Sequence, residues 1–162
     1  MSSAHKIHIQ NAYFNVASAA IPDLSQITKA VASNSVYSKA PEGTVIDPDT
    51  GLMWTKATVA TDKNWSDAKK AAASVRLGGF SDWRLPTIKE LLTLVDYDRY
   101  SPAINTDLFE CESGYYWSST PYASSPSGCA LLVNFGNGIA GYDLQYYEAR
   151  VRAVRSVSSS SQ

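Results

Sequence analysis

Residue types that carry out covalent chemistry are few in this chain, and they do not stand in the patterns that catalysis needs. A catalytic hydroxyl or thiol usually needs a histidine as its base, and both histidines, His5 and His8, stand near the N-terminus. Ser118, Ser119 and Thr120 form a run of hydroxyl side chains, but no Gly-x-Ser-x-Gly frame surrounds them. The sequence therefore indicates a protein that is not an enzyme.

Acidic residues form two weak patterns for a metal site. The segment 47–51, Asp-Pro-Asp-Thr-Gly, imitates the start of a calcium loop, but the glutamate expected eleven residues after Asp47 falls at Thr58. A turn is the better interpretation of this segment. Three later carboxylates could supply oxygen ligands: Asp96, Asp98 and Asp107. Such acids more often cap turns, so we predict no metal and no cofactor.

The two cysteines, Cys111 and Cys129, stand 18 residues apart and flank the predicted strand that carries Trp117. A disulfide between them would tie the loop 120–128 at its base and contribute about 3 kcal/mol by chain-entropy estimates. Two free thiols fit the same spacing equally well. The sequence leaves both alternatives open.

Candidate ligand-binding residues come from the segment 113–147, where Tyr, Ser, Asn, Gly and Asp concentrate. Rigid tyrosines supply contact area at a low entropy cost, and Ser, Asn and Gly supply adaptable hydrogen bonds, as in antibody paratopes. Turn-rich strands also collect Gly, Asn and Ser, and some of these tyrosines can belong to the core. The candidate binding residues are Tyr122, Ser124, Asn134, Asn137, Tyr142, Asp143, Gln145 and Tyr146.

Length and charge exclude several classes of protein. A chain of 162 residues is long enough for one domain and a short appendage. Its 14 basic and 15 acidic residues create no basic field, so nucleic acid is not expected as a partner. No apolar run approaches the roughly 20 residues of a membrane helix, and the first twenty residues lack the apolar stretch of a secretory signal. We expect no membrane insertion and no signal peptide.

The chain divides into three parts. Residues 1–40, rich in Ala, Ser, Asn and Val, are predicted to be an attachment or oligomerisation segment, although a strand and helix that simply pack on the main domain fit them equally well. The main domain is predicted over residues 41–157, after a turn at 41–43. Residues 158–162 form a Ser-rich tail.

Two helices follow an early hairpin with strands at 45–46 and 52–54. The first helix is predicted at Trp65–Arg76, with Asn64 as its cap and an apolar stripe of Trp65, Ala68, Ala72 and Val75. The second begins after Pro86, where Thr87 and Glu90 have the capping-box spacing, and is predicted to end near Asp96.

The rest of the chain is predicted to be β. Four strands are expected, with a turn at 136–138 between the second and third: Tyr115–Thr120, Ala130–Phe135, Ile139–Leu144 and Arg150–Val157. Two helices and a small antiparallel sheet make the fold class α+β. Trp54, Trp65 and Trp83 are predicted to be core residues, and Arg84 is predicted to pair with a carboxylate.

Five separated motifs stand in one order that is similar to a known family: Asp49-Thr50-Gly51-Leu52-Met53-Trp54, Leu77-Gly78-Gly79-Phe80-Ser81-Asp82-Trp83-Arg84-Leu85-Pro86-Thr87, Lys89-Glu90-Leu91, Tyr116-Trp117-Ser118-Ser119-Thr120 and Arg152-Ala153-Val154-Arg155. Together they resemble the Lcl C-terminal-like domain family over about residues 43–157. The resemblance implies a C-type-lectin-like fold, in which the first and last strands pair and two helices flank a small sheet. It also implies kinship with formylglycine-generating enzymes and with phage receptor-binding proteins.

Three departures limit what the resemblance carries over. Many members have cysteines where Ala72 and Ala153 stand here, so their disulfide is not inherited. Cys111 and Cys129 match no motif of the generating enzymes, and kinship with those enzymes is at the level of the fold alone. The Glu-Pro-Asn and Trp-Asn-Asp calcium motifs of sugar-binding lectins are absent from the sequence.

The sequence and the resemblance together predict a non-enzymatic binding module. We expect a receptor-binding or adhesin tip of a phage tail fibre or comparable surface assembly, located on a virion or an extracellular surface. Its partners would be a cell-surface glycan or protein receptor and other subunits of the assembly, including further copies of this chain. The alternative is a structural subunit whose lectin-like domain contacts only its neighbours.

Overall fold

A computed structural model describes residues 40–157 of the chain. The predicted attachment segment, apart from Ala40, and the Ser-rich tail lie outside the described residues. The first two strands, β1 (Thr44–Asp47) and β2 (Leu52–Thr55), form an antiparallel hairpin. The Asp47 carboxylate closes their turn by accepting hydrogen bonds from the Asp49 main chain and the Thr50 hydroxyl, at 3.0 and 2.7 Å. The segment 47–51 is therefore a turn, as predicted.

The first helix, α1 (Trp65–Ala73), follows a short strand, β3 (Ala60–Lys63), that the sequence did not predict. The Asn64 side chain caps the helix by accepting a hydrogen bond from the main-chain N–H of Asp67 at 3.0 Å. Ala68 and Ala72 are fully buried, which confirms the apolar stripe. The helix ends three residues before the predicted Arg76.

The second helix, α2 (Ile88–Leu92), has the predicted capping box. The Thr87 hydroxyl accepts from the Glu90 main chain at 3.3 Å, and the Glu90 carboxylate accepts from the Thr87 main chain at 2.8 Å. The same carboxylate holds Arg84 through two bonds of 2.7 and 2.8 Å, which confirms the predicted pairing of Arg84. The helix ends at Leu92, earlier than Asp96.

Five further strands complete two sheets: β4 (Tyr115–Pro121), β5 (Cys129–Asn134), β6 (Ile139–Leu144), β7 (Ala149–Val151) and β8 (Val154–Ser156). One sheet has the order β1-β2-β8, and the other has the order β3-β7-β4-β5-β6. All neighbours are antiparallel except β4 and β7. The α+β class is confirmed, with two sheets where one small sheet was predicted.

The last predicted strand, Arg150–Val157, is wrong as a single strand. Its first half, β7, pairs with β3 and β4, whereas its second half, β8, pairs with β2 of the other sheet. The chain changes sheets at Arg152 and Ala153, and both side chains are fully buried there. The segment therefore joins the two sheets.

Two hydrophobic clusters cover the two faces of the central strands. Trp117 of β4 and Leu132 of β5 pack in the cluster that contains Ala68 of α1. The adjacent cross-strand pair, Tyr116 and Val133, packs in the cluster that contains Leu91 of α2. Of the tryptophans predicted to be core residues, Trp54 and Trp83 are buried and Trp65 is partly buried.

The hydroxyl run Ser118 to Thr120 is an irregular stretch of β4, where two extra residues enter the ladder between Trp117 and Pro121. The Ser118 hydroxyl donates to the Leu131 carbonyl at 2.7 Å, and the Thr120 hydroxyl accepts from the Ile88 main chain at 3.0 Å. These hydroxyls therefore fix the sheet to the start of α2.

Candidate functional site

The candidate site is centred on two tyrosines that the fold brings together from segments 20 residues apart. The rings of Tyr122 and Tyr142 are stacked, with centroids 4.1 Å apart and planes 3° from parallel. Tyr122 follows β4, and Tyr142 lies in the middle of β6. Stacking of this kind holds both rings in one orientation and leaves 57% of Tyr142 exposed.

Strand β6 and the turn after it expose an unusual amount of apolar and aromatic surface. Ile139, Tyr142 and Leu144 are exposed along the strand, and Tyr146 and Tyr147 follow in the turn that begins at Leu144. Tyr146 is 75% exposed. We call Tyr122, Tyr142, Leu144 and Tyr146 the edge surface. Side chains of this type are the usual contact residues of binding sites.

Two polar candidates near the edge surface are engaged with their own chain. The Gln145 amide donates to the carbonyls of Pro126 and Cys129 at 3.0 and 3.3 Å, which fixes the loop after Tyr122. The Asp143 carboxylate accepts from the Leu144 main chain at 2.8 Å. Ser124 is exposed in the same loop. Gln145 and Asp143 thus position this end of the sheet.

Asn134 and Asn137 lie at the opposite end of the β5–β6 hairpin from the edge surface. The Asn134 side chain accepts from Gly136 at 2.7 Å, and the Asn137 side chain accepts from Ile139 at 3.2 Å, so both close the turn. Five residues of strand separate Asn134 from Cys129, which is about 17 Å. The eight candidate residues therefore do not form one surface, because they extend along the whole hairpin, from its turn through the middle of β6 to the loop after Tyr122.

The segment of the chain that carries the edge surface contains no positively charged residue. Between Ser113 and Ala149 the chain contains no Lys or Arg, and its acidic residues are Asp143 and Glu148. A surface of exposed tyrosines with a slight negative charge favours neutral ligand groups over sulfates, phosphates or carboxylates.

Leu144 and Tyr147 are exposed next to the predicted residues, and sequence reasoning missed them. The signal that could have found Leu144 is strand alternation, because Tyr142 and Leu144 stand two residues apart and so share one face of β6. Tyr97 and Tyr100 are also highly exposed, in the loop that packs against the other end of the hairpin.

Two of the three loop carboxylates that suggested an ion are paired with an arginine instead. Arg99 pairs with Asp96 at 3.1 Å and with Asp107 at 2.8 Å, so its guanidinium takes the place of a cation between them. The Asp96 carboxylate also accepts from the Asp98 main chain at 3.0 Å. Within residues 40–157 no group of three His, Cys, Asp or Glu side chains is arranged to hold a metal ion.

The disulfide alternative for Cys111 and Cys129 is not the one that the structure contains, because both cysteines are free. The Cys111 thiol lies 3.5 Å from the Tyr116 hydroxyl, and Tyr116 stands opposite Val133. Cys129 lies four residues from Val133 along β5, which is about 13 Å. Cross-linked cysteines need Cα atoms within about 7 Å of each other.

A polar cluster lies inside the domain beside Cys111. The Tyr116 hydroxyl is 2.8 Å from the Thr58 hydroxyl, and the Arg152 guanidinium lies over the Tyr116 ring at 5.7 Å from its centre. Burial raises the pKa of Tyr116 above its usual value of 10.0, so this hydroxyl stays protonated and does not act as a base at neutral pH.

A cavity of about 230 Å³ lies between the β1–β2 turn and the loop after α2, lined in part by Asp47, Asp49 and Asp96. Asp47 is bonded within its turn and Asp96 is paired with Arg99. Because Asp47 and Asp96 are already engaged, the edge surface is the stronger candidate site. None of the helices within residues 40–157 has the length and apolar character needed to cross a membrane.

Comparison with known proteins gives a family for this arrangement. The model of the Lcl C-terminal domain family matches residues 43–155, which include both sheets and both helices up to Arg155 of β8. No curated protein was found to match the chain. Since the family model covers more than half of the 162 residues, the chain belongs to the Lcl C-terminal domain family.

Proposed function

We propose that this domain is a non-enzymatic binding module that recognises a cell-surface ligand through the edge surface. The observation that carries the proposal is the stacked pair Tyr122 and Tyr142 on an exposed strand, beside Tyr146. Large rings held in one orientation lose little entropy on binding, and this is what makes tyrosine effective at contact surfaces.

The proposed fold is C-type-lectin-like, as the family implies. Two features support it. Strand β8, near the end of the domain, pairs with β2 of the first hairpin, and α1 and α2 contribute to clusters on opposite faces of the central strands. In such a fold an irregular region presents the ligand site, and Tyr122 of the edge surface lies in such a region, the loop between β4 and β5.

The proposed setting is the tip of a phage tail fibre or a comparable surface assembly, on a virion or outside a cell. The ligand is a glycan or a protein receptor whose contacting groups are neutral, because the segment 113–149 that carries the edge surface contains two acidic residues and no basic residue. The alternative is a structural subunit that contacts only neighbouring subunits, and it predicts no binding to any cell.

The test is binding of the fluorescently labelled full chain to a panel of bacterial and animal cells, measured by flow cytometry. Tyr146→Ala and Tyr142→Ala should each weaken binding by about 5-fold to 150-fold, the effect of losing a hot-spot aromatic worth about 1–3 kcal/mol. The matched control is Tyr97→Ala, since Tyr97 is as exposed as Tyr146 but packs against the far end of the hairpin.

Salt dependence separates this mode from electrostatic binding. If neutral rings make the contacts, the affinity for cells should change by less than about twofold between low and high salt, because little charge is screened. A steep loss of binding with salt would assign the ligand to a basic surface elsewhere. Equal losses in Tyr97→Ala and Tyr146→Ala, or no binding to any cell, would contradict the proposal.

A further inference from the structure

The two edges of the five-stranded sheet differ in how they are protected. Edge strand β3 has a shift in register between Ala60 and Lys63, and Asp62 between them has a φ of 53°. Irregular backbone and charged residues of this kind discourage pairing with another chain. Edge strand β6 pairs regularly with β5 over all six residues and contains no Lys, Arg or Pro.

The outer side of β6 carries main-chain groups that no other described strand covers, because β6 ends the sheet order within residues 40–157. Gln145 donates its main-chain N–H to Gly128 at 2.9 Å, which places residue 145 on the side of β5. Alternation along an antiparallel strand then turns the main-chain groups of Leu144, Tyr142 and Ala140 outward.

The main-chain N–H and carbonyl of Leu144 are already hydrogen-bonded within their own chain. The N–H donates to the Asp143 carboxylate at 2.8 Å, and the carbonyl accepts from the Tyr147 main chain at 2.8 Å. The open part of the edge is therefore Ala140 and Tyr142, with one N–H and one carbonyl each, placed symmetrically on either side of Gly141.

We propose that two copies of this chain pair through β6 about a two-fold axis at Gly141. This register sets Ala140 opposite Tyr142 of the second copy, and Tyr142 opposite Ala140 of the second copy. All four open groups of each chain then form hydrogen bonds, and the groups of Leu144 that are bonded internally are left undisturbed. The match is possible because the open groups are symmetric about one residue.

The side chains fit the same register. Gly141 faces its counterpart with no side chain, and the small Ala140 lies beside the ring of Tyr142 across the new pair. Asp143 stands opposite Ile139, so the two Asp143 carboxylates do not face each other. A second copy is the occupant that this self-complementarity favours, because a two-fold interface uses the same patch on both chains.

The pairing completes the candidate site, and this part of the inference rests on the proposed function. Both Tyr142 side chains lie on one face of the joined sheet, with Cα atoms about 8 Å apart by strand geometry. The two stacked pairs of Tyr122 and Tyr142 then form one continuous platform. Each edge surface thus gains the tyrosines of the second copy as part of the site.

A disulfide cross-link tests the register. In a Cys111→Ser, Cys129→Ser background, Gly141→Cys should form an oxidised dimer of about twice 17.6 kDa on a non-reducing gel. Gly141 and its counterpart form a non-hydrogen-bonded pair with Cα atoms about 4.5 Å apart, within reach of a disulfide. A side chain fits there, since an added Cβ would lie 3.8 Å from Leu132.

The matched control is Ile139→Cys in the same background. Residue 139 lies about four residues, or roughly 14 Å, from its counterpart in this register, so it should remain monomeric on the gel. Cross-linking of Ile139→Cys to the same extent as Gly141→Cys, or of neither, would overturn the register.

Sedimentation equilibrium of the full chain tests the pairing without cross-links. The unsubstituted chain and Ala140→Ser should sediment as dimers, whereas Ala140→Pro should sediment as a monomer, because proline removes an outward N–H and blocks the edge. The three proteins should melt within a few degrees of one another, since residue 140 gives no N–H to β5. A monomeric unsubstituted chain, or an assembly that Ala140→Pro leaves intact, overturns the pairing.

Cell binding tests the proposed function, and sedimentation tests the pairing, so either proposal can be overturned without the other. A monomer that binds cells and loses binding in Tyr146→Ala overturns the pairing and leaves the proposed function standing. A dimer that binds no cell overturns the proposed function and leaves the pairing standing.

Discussion

Arg152 donates a hydrogen bond to the main-chain carbonyl of Thr55 at 2.6 Å from a side chain with no exposure to solvent. The same guanidinium reaches the carbonyls of Lys56 and Glu110 at 2.7 and 2.8 Å. It also lies over the Phe109 ring at 5.2 Å. Arg152 stands where the chain passes from one sheet to the other. Its side chain therefore connects this segment to the end of β2 and to the segment before β4.

Replacing Arg152 should therefore destabilise the domain strongly. Arg152→Met keeps much of the volume and removes every donor, so three carbonyls lose their charged partner, at about 1–3 kcal/mol each. We expect the free energy of unfolding in urea to fall by about 3 kcal/mol or more. Arg150→Met is the matched control, because Arg150 is partly exposed and pairs with an exposed Glu112, and such pairs contribute about 0–1 kcal/mol. Similar losses in the two variants would contradict this role of Arg152.

Arg152 also shows why the final strand was mispredicted. A run that mixes Val151 and Val154 with three arginines resembles one strand with a solvent-facing side, and arginine is rarely fully buried. The sheets that β7 and β8 join are decided by their pairing with β4 and β2, which lie far away in the sequence. The caps of α1 and α2 were predicted because Asn64, Thr87 and Glu90 act on main-chain groups within three residues.

The ion pair of Arg84 and Glu90 should make the free energy of unfolding depend on pH below about pH 4.5. Hydrogen bonds from Arg84 lower the pKa of Glu90 from 4.5 to about 2 in the folded protein. This contribution is fully present above pH 4.5, where the unfolded chain is also ionised, and is lost as the pH falls towards 2. Since Arg84 is partly exposed and screened, we expect a loss of about 1–2 kcal/mol, measured by urea unfolding at several pH values.

Glu90→Gln provides the comparison for this pH dependence. It keeps the shape of the side chain and removes its charge, so it should be less stable than the unsubstituted protein at pH 7. The difference should shrink as the pH falls towards 2, because Glu90 is then becoming neutral in both folded and unfolded protein. A difference that stays constant with pH would show that charge is not the cause.

The two thiols should react at different rates. Cys111 is partly exposed and Cys129 is buried, so iodoacetamide should modify Cys111 in the native protein and Cys129 only after unfolding. Mass spectrometry under non-reducing conditions should find both thiols free, and a reductant should leave the melting temperature unchanged. A species two mass units lighter that resists alkylation would instead indicate a bond between Cys111 and Cys129.

The residue types of the sequence indicated which segment carries the candidate site, but they predicted the arrangement of its side chains only in part. The enrichment in Tyr, Ser and Asn pointed to the β5–β6 hairpin, and Tyr122, Tyr142 and Tyr146 lie on or beside its exposed edge strand. Asn134 and Asn137 were included because asparagine is common in paratopes, but the same residue type also favours turns, which is the role they have. The stack of Tyr122 on Tyr142 depends on the irregular stretch of β4 and on the register of β6, and neither is a local property of the sequence.

The stack should appear as an energetic coupling between Tyr122 and Tyr142. In a double-mutant cycle of alanine substitutions, the double variant should lose about 0.5–1.5 kcal/mol less stability than the sum of the single variants, because either substitution alone already breaks the stack. The control cycle pairs Tyr122 with Tyr146, for which the losses should add. Since the stack orients Tyr142, Tyr122→Ala should also weaken cell binding, even where Tyr122 itself does not touch the ligand. Additive losses for Tyr122 and Tyr142 would mean that the two rings are not held together in solution, and the edge surface would then lack the rigid centre on which its proposed binding depends.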